Sequence, residues 1–240
     1  DCIPAHPQWI RRMVTGAVSE RSDVVLGYGA YKREKSFINH FIQFETVHTA
    51  IQYFSYAALG KAYMGVGRNL LYKRQVLRDA FQDRELVLSM QKTSSGDDDL
   101  AISYLAGKAK ISILPAEEAA TLSEAPKTLS QYIKQKSRHA SSSKYYASEV
   151  KWLLAVYAFA HFGFWLLALS RLWLDFSPGI SGLVITISVL ATKWFMYYRW
   201  NRVFMSKMNA SYLLVLDFFW CIYNLILSPY IFWKNKNTWN

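Results

Sequence analysis

Apolar and polar positions alternate along this chain in two different regimes. From Ser36 to Leu59 the apolar residues Phe37, Phe41, Phe44, Val47, Ile51, Phe54 and Ala58 recur every three or four positions. That spacing predicts a long amphipathic helix with one apolar face, suited to packing on a sheet, with a membrane interface as the other surface it could take. Before it, Trp9–Val18 has the pattern of a short amphipathic helix, and Val24–Tyr31 reads as a buried strand, apolar, aromatic and studded with glycine. After it, Met64–Tyr72 predicts two short strand-like pieces around a glycine turn, and Lys73–Phe81 a short helix. A polar Ser/Thr/Gly loop over Gln91–Gly96 leads into a helix carrying Leu100, Ile102, Tyr104 and Leu105. Lys110–Leu114 alternates as a strand that ends at Pro115, Ala116–Lys127 reads as a loop, and Thr128–His139 as a helix rich in Lys and Gln. Strands alternating with helices over residues 1–140 point to an α/β layer.

From Val150 the regime changes. Trp152–Leu169 and Ile180–Tyr198 are nearly continuous apolar runs, and Tyr212–Trp233 is a third that carries Asp217, Asn224 and Pro229. Each approaches the roughly 20 residues that cross a hydrocarbon core, and Trp and Tyr gather at the ends of the first two. The expected organisation is therefore an α/β unit over 1–140 and a membrane region over 141–240, with hydrophobic helices at about 152–170, 180–198 and 212–233. The link 170–179 holds one Arg and one Asp, whereas 199–207 holds Arg199, Arg202 and Lys207. The positive-inside rule then places residues 1–150 in the cytoplasm, in an integral protein of the inner or plasma membrane. The third run either crosses or re-enters.

The net charge of +11 and pI near 9.6 call for an anionic partner. The basic residues flank apolar spans and no nucleic-acid motif accompanies them, so the lipid bilayer, not nucleic acid, is the expected partner. Cys2 and Cys221 imply no disulfide framework, and the five histidines do not cluster as ligands.

The candidate chemistry begins at Gly96-Asp97-Asp98-Asp99, where three carboxylates follow a glycine and open a helix. Acids at a helix start have an ordinary explanation, since they cap backbone N–H groups and suit the dipole. Downstream, Gln135-Lys136-Ser137-Arg138-His139 lies just before the first apolar run, and Asp1-Cys2-Ile3-Pro4 opens the chain. In this order and setting the chain resembles the C-terminal part of a membrane-bound family 2 glycosyltransferase, similar to the synthases of cellulose, chitin and hyaluronan. Those proteins carry D, DxD, (T/G)(E/D)D and QxxRW in order, the last just before transmembrane helices.

The resemblance implies a fold and a set of roles. The fold is α/β: the C-terminal portion of a GT-A glycosyltransferase domain followed by transmembrane α-helices. The activity is inverting transfer of a sugar from a nucleotide-sugar donor to a glycan or lipid-linked acceptor at the cytoplasmic membrane face. Asp98 becomes the candidate general base, with Asp97 and Asp99 as alternates or supporting groups. Gln135, Arg138 and His139 become donor and pyrophosphate ligands, Gly67 and Asn69 acceptor-side residues, and Asp1 a ligand for Mg²⁺ or Mn²⁺. A divalent cation and a guanidinium both suit the charge that develops on a departing diphosphate.

The departures are specific. His139 stands where the family has Trp, which puts processive polymerisation in doubt. Arg68 is bulky for the glycine-rich acceptor loop, and Asp79-Ala80-Phe81 replaces the usual Gly-Gly-Phe. The nucleotide-binding half expected before Asp1 is absent, so the expectation is that this fragment alone is inactive. The alternative is a catalytically inactive, truncated membrane component of a polysaccharide assembly complex.

Overall fold

The computed structural model describes residues 2–93, 95–140, 142–173, 180–204, 206 and 208–233. Asp1, most of the link 170–179 and Lys207, on which expectations rested, lie outside the described residues, as does the tail 234–240. In chain order the elements are β1 (Cys2–Pro4), α1 (Trp9–Ser19), β2 (Val24–Gly27), β3 (Gly29–Tyr31), α2 (Phe37–Ala58), β4 (Leu70–Tyr72), α3 (Arg74–Ala80) and α4 (Arg84–Gln91). They continue with α5 (Asp97–Leu105), β5 (Ile111–Leu114), β6 (Thr121–Ser123), α6 (Leu129–His139), α7 (Ser148–Trp173), α8 (Ile180–Val203) and α9 (Leu213–Trp233). The result is a mixed α/β architecture of two small sheets and many helices, consistent with a GT-A-like domain.

The single strand expected over Val24–Tyr31 is two strands in two sheets. β2 is the centre of one, antiparallel to β4 and parallel to β5, while β3 runs parallel to β6, which in turn is antiparallel to β1. The break falls at Tyr28, and Asn69 holds it. The Asn69 amide donates to the carbonyls of Tyr28 and Ala119, both at 2.8 Å, and its oxygen accepts the Trp9 indole N–H at 3.0 Å. Asn69 packs so closely that a Cβ on Gly27 would lie 2.4 Å from its amide nitrogen. The predicted loop over Ala116–Lys127 likewise contains β6, a three-residue strand whose two neighbours, β1 and β3, both lie far back in the N-terminal part of the chain.

The long helix forms where expected but is not one-sided. Ser36 caps α2 through its hydroxyl, which accepts from Asn39 N at 3.1 Å, and the helix is then enclosed by β3 and β5 on one side and by α8 and α9 on others. Enclosure buries polar side chains together with aromatic ones, and each has a partner. The Gln43 amide donates to the carbonyls of Tyr31 and Lys32, and His48 shares a 2.5 Å hydrogen bond with the Tyr157 hydroxyl. Phe204, at the end of α8, stacks on Tyr28 at 4.2 Å between ring centres, so the C-terminal helices share a core with the sheets.

Among the described residues, one helix is long and apolar enough to cross a membrane, Ser148–Ser170, and the apolar stretch Ala210–Ile226 is shorter. By that criterion the two or three crossings expected from the apolar runs reduce to one. Inside the three-helix group sits a buried carboxylate, Asp217 of α9. It accepts from the Trp165 indole at 2.8 Å and the Tyr197 hydroxyl at 2.5 Å, and pairs with Lys193 at 2.7 Å and His161 at 3.3 Å.

Candidate active site

The sequence enters α5 through Gly96, whose φ of +91° lies in the left-handed region. A Cβ there would also fall 2.5 Å from that of Ser142, so glycine is required twice over. From that turn the three acids diverge. Asp97 is exposed at the helix start and does not face the cavity described below. Asp99 turns inward, where it accepts from the Tyr146 and Ser142 hydroxyls at 2.9 and 3.0 Å and from Gly65 N at 3.3 Å. Burial, reinforced by the neighbouring Asp98 charge, pushes the Asp99 pKa up to about 8. It ties α5 to the segment after α6.

Asp98 is the acid that reaches a cavity. One of its oxygens accepts from Gly67 N at 2.6 Å and the other from Asp99 N at 3.0 Å. Burial raises its pKa from the ordinary carboxylate value, and those backbone donors hold the rise in check. The cavity has a volume of about 520 Å³, within the range of small-molecule sites. Its wall takes Glu45, Thr46 and Thr49 from α2, Gly67 and Arg68 from the loop before β4, and Gln135, Lys136 and His139 from α6.

The cavity's polar side chains are tied together. Gln135 donates to the Tyr31 hydroxyl at 3.0 Å, and the Arg68 guanidinium lies 4.1 Å from the centre of the Tyr31 ring. Lys136 is paired with Glu45, which also accepts from Thr49 at 3.2 Å. His139 keeps access to the cavity mouth, but crowding around its ring and the charges of Lys136, Arg138 and Arg68 lower its pKa. It is therefore a neutral imidazole near pH 7.

The chain matches the model of glycosyl transferase family group 2 over residues 6–233, nearly its whole length. It belongs to that family. Membership carries sugar transfer in general, from a nucleotide-sugar donor to an acceptor. A search of curated proteins found no match to the chain.

For this family 2 glycosyltransferase, the structure gathers some of the residues singled out in the sequence and separates others. Asp98, Gly67, Gln135 and His139 share the cavity. Arg138 is on the same helix but is not part of the wall, and Asn69 is buried in the seam between the two sheets, not on an acceptor surface. Sequence reasoning missed Glu45, Thr46, Thr49 and Tyr31. Glu45 carried a signal, being the one acidic residue in the predicted helix from Ser36 to Leu59.

A divalent-cation centre does not assemble from the described residues. No group of three or more His, Cys, Asp or Glu side chains is placed to hold a metal among them. The cavity carboxylates have other partners: Asp98 two backbone N–H groups, Glu45 Lys136, and Glu124 Lys32 at 2.6 Å.

Proposed function

We propose that this protein transfers a sugar with inversion, using Asp98 as general base. The acceptor hydroxyl gives its proton to Asp98 while its oxygen attacks the anomeric carbon. The bond from that carbon to the nucleoside diphosphate breaks on the opposite face, and the diphosphate leaves with the bonding pair. The observation that carries the reading is the Asp98 carboxylate itself, set in the cavity wall and held at 2.6 Å by Gly67 N. A carboxylate whose proton affinity is raised by burial is a better base than one in water, and general-base catalysis contributes about 10²–10⁴-fold. Gln135 and the neutral His139 face the same space and are suited to hydrogen-bond the sugar or its phosphates.

We place the reaction at a membrane, with the cavity on the cytoplasmic side. In support, α7 turns large apolar side chains outward, Trp152 at 73% and Phe159 at 77% exposure, along a helix long enough to span. The basic residues Arg199 and Arg202 follow α8's apolar part, as the positive-inside rule asks of a cytoplasmic end.

The test is Asp98→Asn in the full-length protein, assayed in membranes with a panel of labelled nucleotide sugars. Transfer is expected to fall by at least 10²-fold with donor binding retained. Turnover that survives the substitution rejects Asp98 as the base.

A further inference from the structure

The charge inventory of the cavity leaves one cation without a carboxylate. Lys136 is paired with Glu45, and the acid Glu124 with Lys32. Among the described residues no carboxylate forms an ion pair with Arg68. Its guanidinium is nevertheless firmly seated. One NH₂ donates to Gly29 O at 2.7 Å, and the plane lies over Tyr31, whose hydroxyl is in turn held by Gln135. Gly29 makes the seat possible, since a Cβ there would come within 2.7 Å of Arg68 Nε. Arginine has five N–H donors in a fixed fork, and the seat uses one of them. The next residue back, Gly67, is the one that holds Asp98.

We infer that Arg68 is the phosphate-binding residue of this cavity, presenting its remaining donors to a phosphoryl group beside Asp98. The inference rests on the reading of this cavity as the sugar-transfer site and deepens it. A planar guanidinium pairs with two phosphate oxygens at once, and preorganisation on an aromatic ring reduces the entropy lost on binding. The shared chemistry is a phosphoryl oxygen pair. Its source is either the diphosphate of the donor or the phosphate of a lipid-linked acceptor. The role thus falls to the loop before β4, and not to Arg138, whose side chain is outside the cavity wall.

The experiment is equilibrium binding to the full-length protein in detergent, with three probes: inorganic pyrophosphate, uridine diphosphate and farnesyl phosphate. Arg68→Gln removes the charge and keeps a neutral side-chain amide. It is expected to weaken phosphoryl binding about 10- to 100-fold, with a flatter dependence of affinity on salt. Loss toward pyrophosphate and uridine diphosphate identifies the donor as the source, and loss toward farnesyl phosphate alone identifies the acceptor. Arg68→Lys keeps a point charge but no fork, so it retains part of the affinity, and it stands in if the Gln variant does not fold. Unchanged affinity for all three probes, no binding of any probe to the unaltered protein, or a loss seen in Arg138→Gln and not at Arg68, overturns the inference. Because binding is read without turnover, a failed base assignment at Asp98 leaves this result distinguishable.

Discussion

Gly67→Ala isolates the contact on which the proposed chemistry depends. The Gly67 backbone is outside the left-handed region, so alanine can adopt it without strain. The nearest conflict is with Asp98: the new Cβ would be 2.7 Å from Oδ2 and 3.2 Å from Cγ. Either the carboxylate or the loop must move, and the 2.6 Å bond from Gly67 N is lost or lengthened. A hydrogen bond to a charged group contributes about 1.5–3 kcal/mol. Losing a bond that favours the ionised form raises the Asp98 pKa further, because burial is then opposed by one backbone donor fewer. The sign follows from the base role, because Asp98 must be ionised to accept a proton. The acid limb of the kcat/KM profile therefore moves to higher pH. Misplacing the base costs about 10²-fold in kcat even where the limb is passed. The assay is a pH–rate profile of the full-length protein beside a thermal melt. A variant with the original acid limb and kcat, and an unchanged melting temperature, refutes the claim that the loop sets the position and proton affinity of Asp98.

Two further outcomes concern the neighbours Asp99 and Asn69. Asp99 holds its proton in the folded state up to about pH 8, so its contribution to stability is present below the unfolded carboxylate pKa and is lost as pH rises through about 8. Asp99→Asn should therefore gain stability relative to the unaltered protein between melts at pH 5 and pH 8.5, and a pH-independent difference contradicts the assignment. Asn69→Ala removes the donor to Ala119 O and the acceptor for the Trp9 indole, while Tyr28 O keeps Thr121 N at 3.1 Å. The expected cost is about 2–4 kcal/mol, or a melting temperature lower by roughly 4–16 °C, with donor affinity per folded molecule preserved. A selective loss of substrate affinity without destabilisation would return Asn69 to the binding site.

The helices were legible because their signals are local. Ser36 and Thr128 are caps, and their hydroxyls accept from Asn39 N and Gln131 N as their positions suggest. The acidic triplet marks a real helix start, and α5 begins at Asp97. What escaped depends on distant partners. β6 is three residues long and is a strand only because β1 and β3 flank it. The break at Tyr28 is set by Asn69, 41 residues away, and no turn residue marks it except the glycines on either side. α4 begins with a local cap, Asp83 accepting from Leu86 N at 3.0 Å, but its short polar run does not stand out from the loops beside it. The candidate site divides in the same way. Spacing along the chain marks Asp98 and Gln135, whereas the pairing of Lys136 with Glu45 appears only when α2 and α6 meet.

α2 also explains how the C-terminal helices bear on the cavity. Glu45, Thr46 and Thr49 line the cavity, while His48, on another face of the same turns, bonds Tyr157 of α7 and lies 4.1 Å from the Trp220 ring of α9. Behind that contact is Asp217, with donors from α7 and α8. Withdrawing a carboxylate from water costs several kcal/mol, and the cost is met only while its partners are all in place. That requirement fixes α7, α8 and α9 against one another, because separating any one of them removes a donor from the buried charge. His48 then extends the constraint to α2, one helical turn from the Glu45–Lys136 pair. The part of the cavity wall that α2 supplies is therefore anchored by α7, α8 and α9, so the geometry of the proposed transfer site depends on residues that never enter it.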